Sequence, residues 1–131
     1  QPIPSKTTDK WSTFEWVHFL RFLPKELSLA QLTELDTKFH FTQSTNSEIQ
    51  GEWYIIAVHN DYRDADPFVE SFLIHIGRRK FLEPIYGEMI KTPEGKEWAL
   101  RIYKQAKPNY HFVSVNTLDA MLGVRKSSIK L

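Results

Sequence analysis

A chain of 131 residues with 41% hydrophobic, 14% aromatic and 25% charged residues has the make-up of one globular domain, not of a disordered or fibrous segment. Its 17 basic and 16 acidic residues leave a formal charge of +1, which excludes a whole-molecule field able to hold a nucleic acid or an acidic membrane surface. The absence of cysteine excludes disulfides, thiolate zinc sites and cysteine nucleophiles but leaves the compartment open, cytoplasmic or periplasmic.

No apolar run approaches the roughly 20 residues of a membrane helix, and the opening QPIPSKTTDK is too polar for a signal peptide, so a soluble chain is expected. A start at Gln1 and not at methionine reads as a piece processed or cut from something longer, with residues 1–9 as a disordered or linker start.

The first helix is expected over about residues 10–23, where Trp11, Phe14, Val17, Leu20 and Leu23 recur at i+3 steps and Pro24 stops the run. Its aromatic residues Trp11, Phe14, Trp16, Phe19 and Phe22 spread round much of the circumference, which suggests burial on more than one side. Ser28 with Gln31 reads as a capping box opening a second helix, with Leu29, Leu32, Leu35 and Phe39 on one face. Thr45 with Glu48 reads as another box before IQGEWYIIAVHN, although WYIIAV alone also fits a buried strand.

Asp66-Pro67 has the form of an N-cap followed by proline at the first helical position, and Phe68, Phe72, Leu73 and Ile76 then run to Gly77, a helix-ending glycine. Pro84 is expected to open or kink a short helix through Ile90. Thr92-Pro93 starts a sixth helix carrying Trp98, Ile102 and Ala106 and closed by Pro108. Ser114 to Leu122, ending at Gly123, forms the last, and RKSSIKL is a frayed tail. Six or seven helices with short connections make the fold class all-α, either a bundle or an irregular superhelix of hairpins, without a fixed repeat period.

Chemistry-bearing motifs are sparse. His18, His40, His59, His75 and His111 lie far apart, none in an HExxH or His-x-His pattern, so no zinc site is encoded in the chain. There is no GxSxG elbow, Walker loop or GxGxxG, so the catalytic assignment is none. Asp61, Asp64 and Asp66 of DYRDAD read as caps of orphan amides before a helix, not as an acid–base pair.

The distinctive stretch is Gly77-Arg78-Arg79-Lys80-Phe81. One reading places these cations at the end of a helix, in water or against the negative end of its dipole. The other makes them a seat for a small anion. In an extended or irregular segment residues i and i+2 share a side, so Arg78 and Lys80 would face one ligand and Arg79 the other way. An arginine fork with a lysine charge suits a carboxylate. Acidic residues scattered through the same region, and the lack of interleaved exposed aromatics, argue against a nucleic acid.

FTQSTNSEI (Phe41 to Ile49), Trp53, GRRKFLEPIY (Gly77 to Tyr86) and ALRIYKQAKPNYH (Ala99 to His111), in that order, resemble the C-terminal helical domain of the leukotriene A4 hydrolase branch of zinc aminopeptidases. The resemblance covers about residues 10–123, with Asn-Ser-Glu-Ile and Gly-Arg-x-Lys-Phe as its most specific blocks. It implies an α-α superhelical, armadillo-like domain at the end of a larger enzyme. The zinc and its HExxH would lie in a preceding catalytic domain of the same parent chain. The carry-over from Gly-Arg-x-Lys-Phe falls on Arg78 and Lys80, as residues that reach the substrate tunnel and bind the free carboxylate of a short peptide, with Arg79 at the variable position.

One departure stands out. Where the family has Ile-Arg-x-Arg-Trp, this chain has Ile49-Gln50-Gly51-Glu52-Trp53, so the roles of those arginines are not carried over. A competing reading from another class is a free-standing helical-repeat scaffold that binds a protein partner on a concave face.

Overall fold

Seven α-helices and no strand make up the described part of the chain, residues 12–124, in a computed structural model. They form two compact units that divide between Ala65 and Asp66. Trp11, the linker start and the tail from residue 125 onward lie outside the described residues. Among the described residues no helix is long and apolar enough to cross a membrane.

In the first unit α1 spans Thr13–Arg21, α2 Leu29–Phe39 and α3 Ser47–His59, followed by a 3-10 turn at Arg63–Ala65. Ser12 and Glu15 close a capping box on α1, and Ser28 and Gln31 close the expected one on α2. For α3 the cap is not Thr45 but Asn46, whose carboxamide oxygen accepts from the amides of Glu48 and Ile49. Asn46 wins because it is itself held: Ser44 Oγ accepts its amide at 3.1 Å, and its Nδ2 donates to Thr13 Oγ1 at 2.8 Å. WYIIAV is helical.

The expected i+3 stripe on α1 is corrected. Helix α1 packs on α3, and the inward residues are Leu20, which is buried, Trp16, which stands edgewise to Phe39 and Phe41, and Phe19, which stands edgewise to Phe39. Phe14 and Phe22 stay 78% and 74% exposed on either side of His18. Steps of three drift off a 3.6-residue turn, so the stripe leaves the packed face.

The floor of this unit is polar but fully partnered. Asp36 accepts from the Thr42 amide and hydroxyl and from Tyr62 OH, at 2.9, 2.6 and 2.8 Å. Thr42 in turn takes Trp53 Nε1 on its hydroxyl oxygen and Tyr54 OH on its carbonyl. Burial of such groups is tolerated because each donor finds an acceptor.

The second unit holds α4 (Asp66–His75), α5 (Arg79–Met89), α6 (Pro93–Ala106), a 3-10 turn (Lys107–Asn109) and α7 (Phe112–Leu122). Helix α4 packs on α6, and α5 packs on both α6 and α7. Thr92 caps α6 with Pro93 at the first position, and Gly123 closes α7 in the left-handed region at φ 71°. Three expectations fail here. Asp66 is not a cap but lies in the first turn of α4, behind the 3-10 turn. Helix α4 ends at His75, and Gly77 is not in a left-handed conformation. Of the two roles expected of Pro84, opening a helix is the one that fails: it sits inside α5, which starts at Arg79. Proline in a helix interior costs about 3 kcal/mol. Phe81, Leu82, Ile85, Tyr86 and Met89 are all buried along α5, each worth about 1.5–3 kcal/mol, so burial outweighs the lost hydrogen bond.

Between α6 and α7, buried Asp119 accepts from Tyr103 OH at 2.6 Å and from Lys107 Nζ at 3.1 Å. Tyr110 OH bonds the carbonyl of Leu73 and lies 3.0 Å from Tyr86 OH, tying the end of α4 to α5. Gly95 allows the first turn of α6 to lie against the end of α5, because a Cβ there would stand 2.0 Å from the Met89 carbonyl oxygen. Gly95→Ala is therefore expected to cost about 1–3 kcal/mol in denaturant unfolding. A variant as stable as the parent chain would show that this turn can open.

Candidate functional site

The basic cluster sits at the junction of α4 and α5. Arg78 is the N-cap of α5, with extended backbone at φ −81° and ψ 125°, while Arg79 and Lys80 are the first two helical residues. The expected extended segment is thus replaced by a helix start, and a simple i, i+2 alternation does not describe it. Arg78 and Lys80 share one neighbour, Phe81. The Arg78 guanidinium carbon lies 5.8 Å from the centroid of that ring and the Lys80 ammonium 5.1 Å. Both distances fall within cation–π range. Phe81 is 6% exposed and rests edge-on against Phe72, so the ring is fixed while the cations around it face solvent.

Arg79 leaves this group, donating from Nη1 to Thr117 Oγ1 on α7 at 3.3 Å. One turn earlier on α7, Ser114 Oγ donates to the Gly77 carbonyl at 3.1 Å. The junction is therefore held at both ends by α7. Gly77 itself is not demanded by sterics, since an added Cβ would meet only Asn109 O, at 3.9 Å. Gly77→Ala is expected to be neutral or to stabilise by about 0.4–1 kcal/mol through the unfolded chain, read by thermal unfolding.

The electrostatics argue against dipole complementation as the reason for these cations. They stand at the positive end of α5, with no acidic residue in its first turn and no side chain capping its amides. Each cation there is unfavourable by about 0.3–1 kcal/mol. The start of α5 thus brings two side-chain cations to one ring at the positive end of a helix dipole, with no side-chain cap.

The other candidates do not assemble. His18 stacks with aromatic rings, His40 caps α2, His59 meets Glu26, His75 bonds the Ser71 carbonyl and His111 caps α7. Among the described residues no group of three His, Asp or Glu could hold a metal ion. Asp61 stands in the left-handed region at φ 58° and faces Arg63 at 3.7 Å, while Asp64 and Asp66 lie in successive helical first turns. At the departure from the family pattern, Glu52 receives Nε and Nη2 of Arg21 at 2.9 and 2.8 Å, which raises the Arg21 pKa. An open apolar groove of about 690 Å³ in the second unit is lined by Leu100, Tyr103, Lys107, Val115 and neighbours, and not by Arg78 or Lys80.

Sequence reasoning missed Phe81, Ser114 and Thr117. Only the aromatic beside the basic run was a visible signal; the two hydroxyls lie more than 35 residues away along the chain.

A family model described as leukotriene A4 hydrolase, C-terminal, matches residues 11–122. The chain is 25% identical over 130 residues to leucine aminopeptidase 2 of Neurospora crassa, covering 97% of this chain and 19% of that protein. It is 29% identical over 82 residues to leucine aminopeptidase 2 of Lodderomyces elongisporus, covering 61% and 12%. It is 27% identical over 116 residues to leucine aminopeptidase 2-2 of Scheffersomyces stipitis, covering 88% and 17%. The chain thus spans less than a fifth of the length of these relatives.

Proposed function

The chain belongs to the leukotriene A4 hydrolase C-terminal family, and from that premise we propose that it is the non-catalytic C-terminal segment of a zinc-dependent aminopeptidase, in which Arg78 and Lys80 bind the free carboxylate of a short peptide. The observation that carries this reading is the convergence of the Arg78 and Lys80 side chains on Phe81 at an uncapped helix start. Held there, a carboxylate would meet a planar fork, a point charge and helix amides at once.

The described residues hold no metal cluster, so zinc would be bound by the remainder of the parent chain, not by this segment. The task of this segment is to bind and orient. Its two cations are exposed and need a second wall to make a closed tunnel, and the missing wall is the catalytic domain. The exposed pair Phe14 on α1 and Phe22 just after it supports docking against such a domain, since apolar surface of this kind marks an interface.

The test is to read the coding frame upstream of Gln1, then assay the full-length protein. An in-frame HExxH with a glutamate further along, and peptide hydrolysis from the N-terminus that a chelator abolishes, is the expected result. A frame that opens near Gln1 would overturn it and leave the scaffold reading. Peptide turnover by the metal-supplemented 131-residue chain alone would equally refute the non-catalytic assignment.

A further inference from the structure

We infer that Phe81 is a positioning residue for substrate recognition: its ring face holds Arg78 and Lys80 in one place and so sets the preference for peptides with a free C-terminal carboxylate. The inference rests on the carboxylate-binding reading above and extends it to a residue that carries no charge.

Long cationic side chains at a helix start have many rotamers, and ordering both for one ligand loses entropy on binding. A ring with a negative face restricts them beforehand. Phe81 is suited to this because it cannot itself move: it is 6% exposed, edge-on to Phe72 at 6.0 Å, and starts the buried face of α5. Arg79, the residue between them, is taken away by Thr117, which keeps a third positive charge from competing for the same ring. The cluster therefore separates into two cations on the ring and one tether.

The experiment compares kcat/KM for a short peptide with a free C-terminus and for its C-terminal amide, in the full-length protein. Phe81→Leu keeps an apolar side chain but has no ring face; it is expected to reduce the free-over-amide preference by about fivefold or more, mostly through KM. Turnover of the amide should fall less than turnover of the free peptide. Phe81→Tyr retains the face and should retain the preference. If the leucine variant folds poorly, replacing Phe81 with mono-, di- and trifluorinated phenylalanine keeps the shape and drains the ring's negative face. The preference should then fall step by step. A merely structural role would lower both substrates together or ignore fluorination. Preference unchanged in Phe81→Leu or across the fluorinated series, or lost in Phe81→Tyr, overturns the inference while leaving carboxylate binding intact if Arg78→Ala abolishes the preference. No change in Arg78→Ala removes both.

Discussion

Arg78→Ala in the full-length protein is expected to lower kcat/KM about 10- to 150-fold for short peptides with a free C-terminus, and to leave the corresponding amides nearly unaffected. The range follows from about 1.5–3 kcal/mol for hydrogen bonds to a charged group. Its upper end applies where a second wall excludes water, because Coulomb attraction varies inversely with the local dielectric. Lys80→Ala should cost less than Arg78→Ala. The lysine offers one point charge, whereas the guanidinium matches both carboxylate oxygens. Arg78→Lys should therefore recover only part of the loss. If the carboxylate contact serves only to bind, KM rises and kcat holds; if it also sets the scissile bond against the metal in the parent enzyme, kcat falls as well. Equal losses for free and amidated peptides would exclude a carboxylate contact.

The parts of the fold visible in the residues were those whose signals are local. Ser28 with Gln31 and Thr92 with Pro93 cap their helices as the i to i+3 geometry requires, and Gly123 takes the left-handed position after α7. Competition between neighbouring signals hid others. Thr45 and Asn46 both fit a cap, and the choice rests on Thr13, which is distant in sequence. Pro84 masked the start of α5 because a breaker is a strong local cue, while the burial that overrides it is tertiary. That misreading changed the site, since it left as a helix-terminal tail of cations what the structure makes a helix start of the opposite dipole sign. The family resemblance placed Arg78 and Lys80 together, but the object they share, the Phe81 ring, comes only from coordinates.

Raising the pH past 10 is expected to unfold the chain in a steep transition driven by its tyrosines. All five are buried: Tyr54, Tyr62, Tyr86, Tyr103 and Tyr110. Burial, which disfavours the phenolate, is the first cause in each case and raises every one of them above the ordinary value. Tyr62 and Tyr110 are pushed up to about 12. The hydrogen bonds to Asp36 and Asp119 add to the rise for Tyr62 and Tyr103, because a carboxylate acceptor needs the phenol to keep its proton. The folded state then holds protons that the unfolded state gives up from about pH 10. Stability is unaffected below that pH and falls above it. Each retained proton contributes a slope of about 1.4 kcal/mol per pH unit. These slopes add over the buried tyrosines, and those of Tyr62 and Tyr110 level off near pH 12. Against a total stability of about 5–15 kcal/mol, the combined loss is enough to unfold the chain. Phenolate absorbance and loss of helical circular dichroism should appear together, and Tyr110→Phe should flatten the slope by one proton. Phenolate rising smoothly from pH 10 with helicity intact would mean that these hydroxyls are open to water.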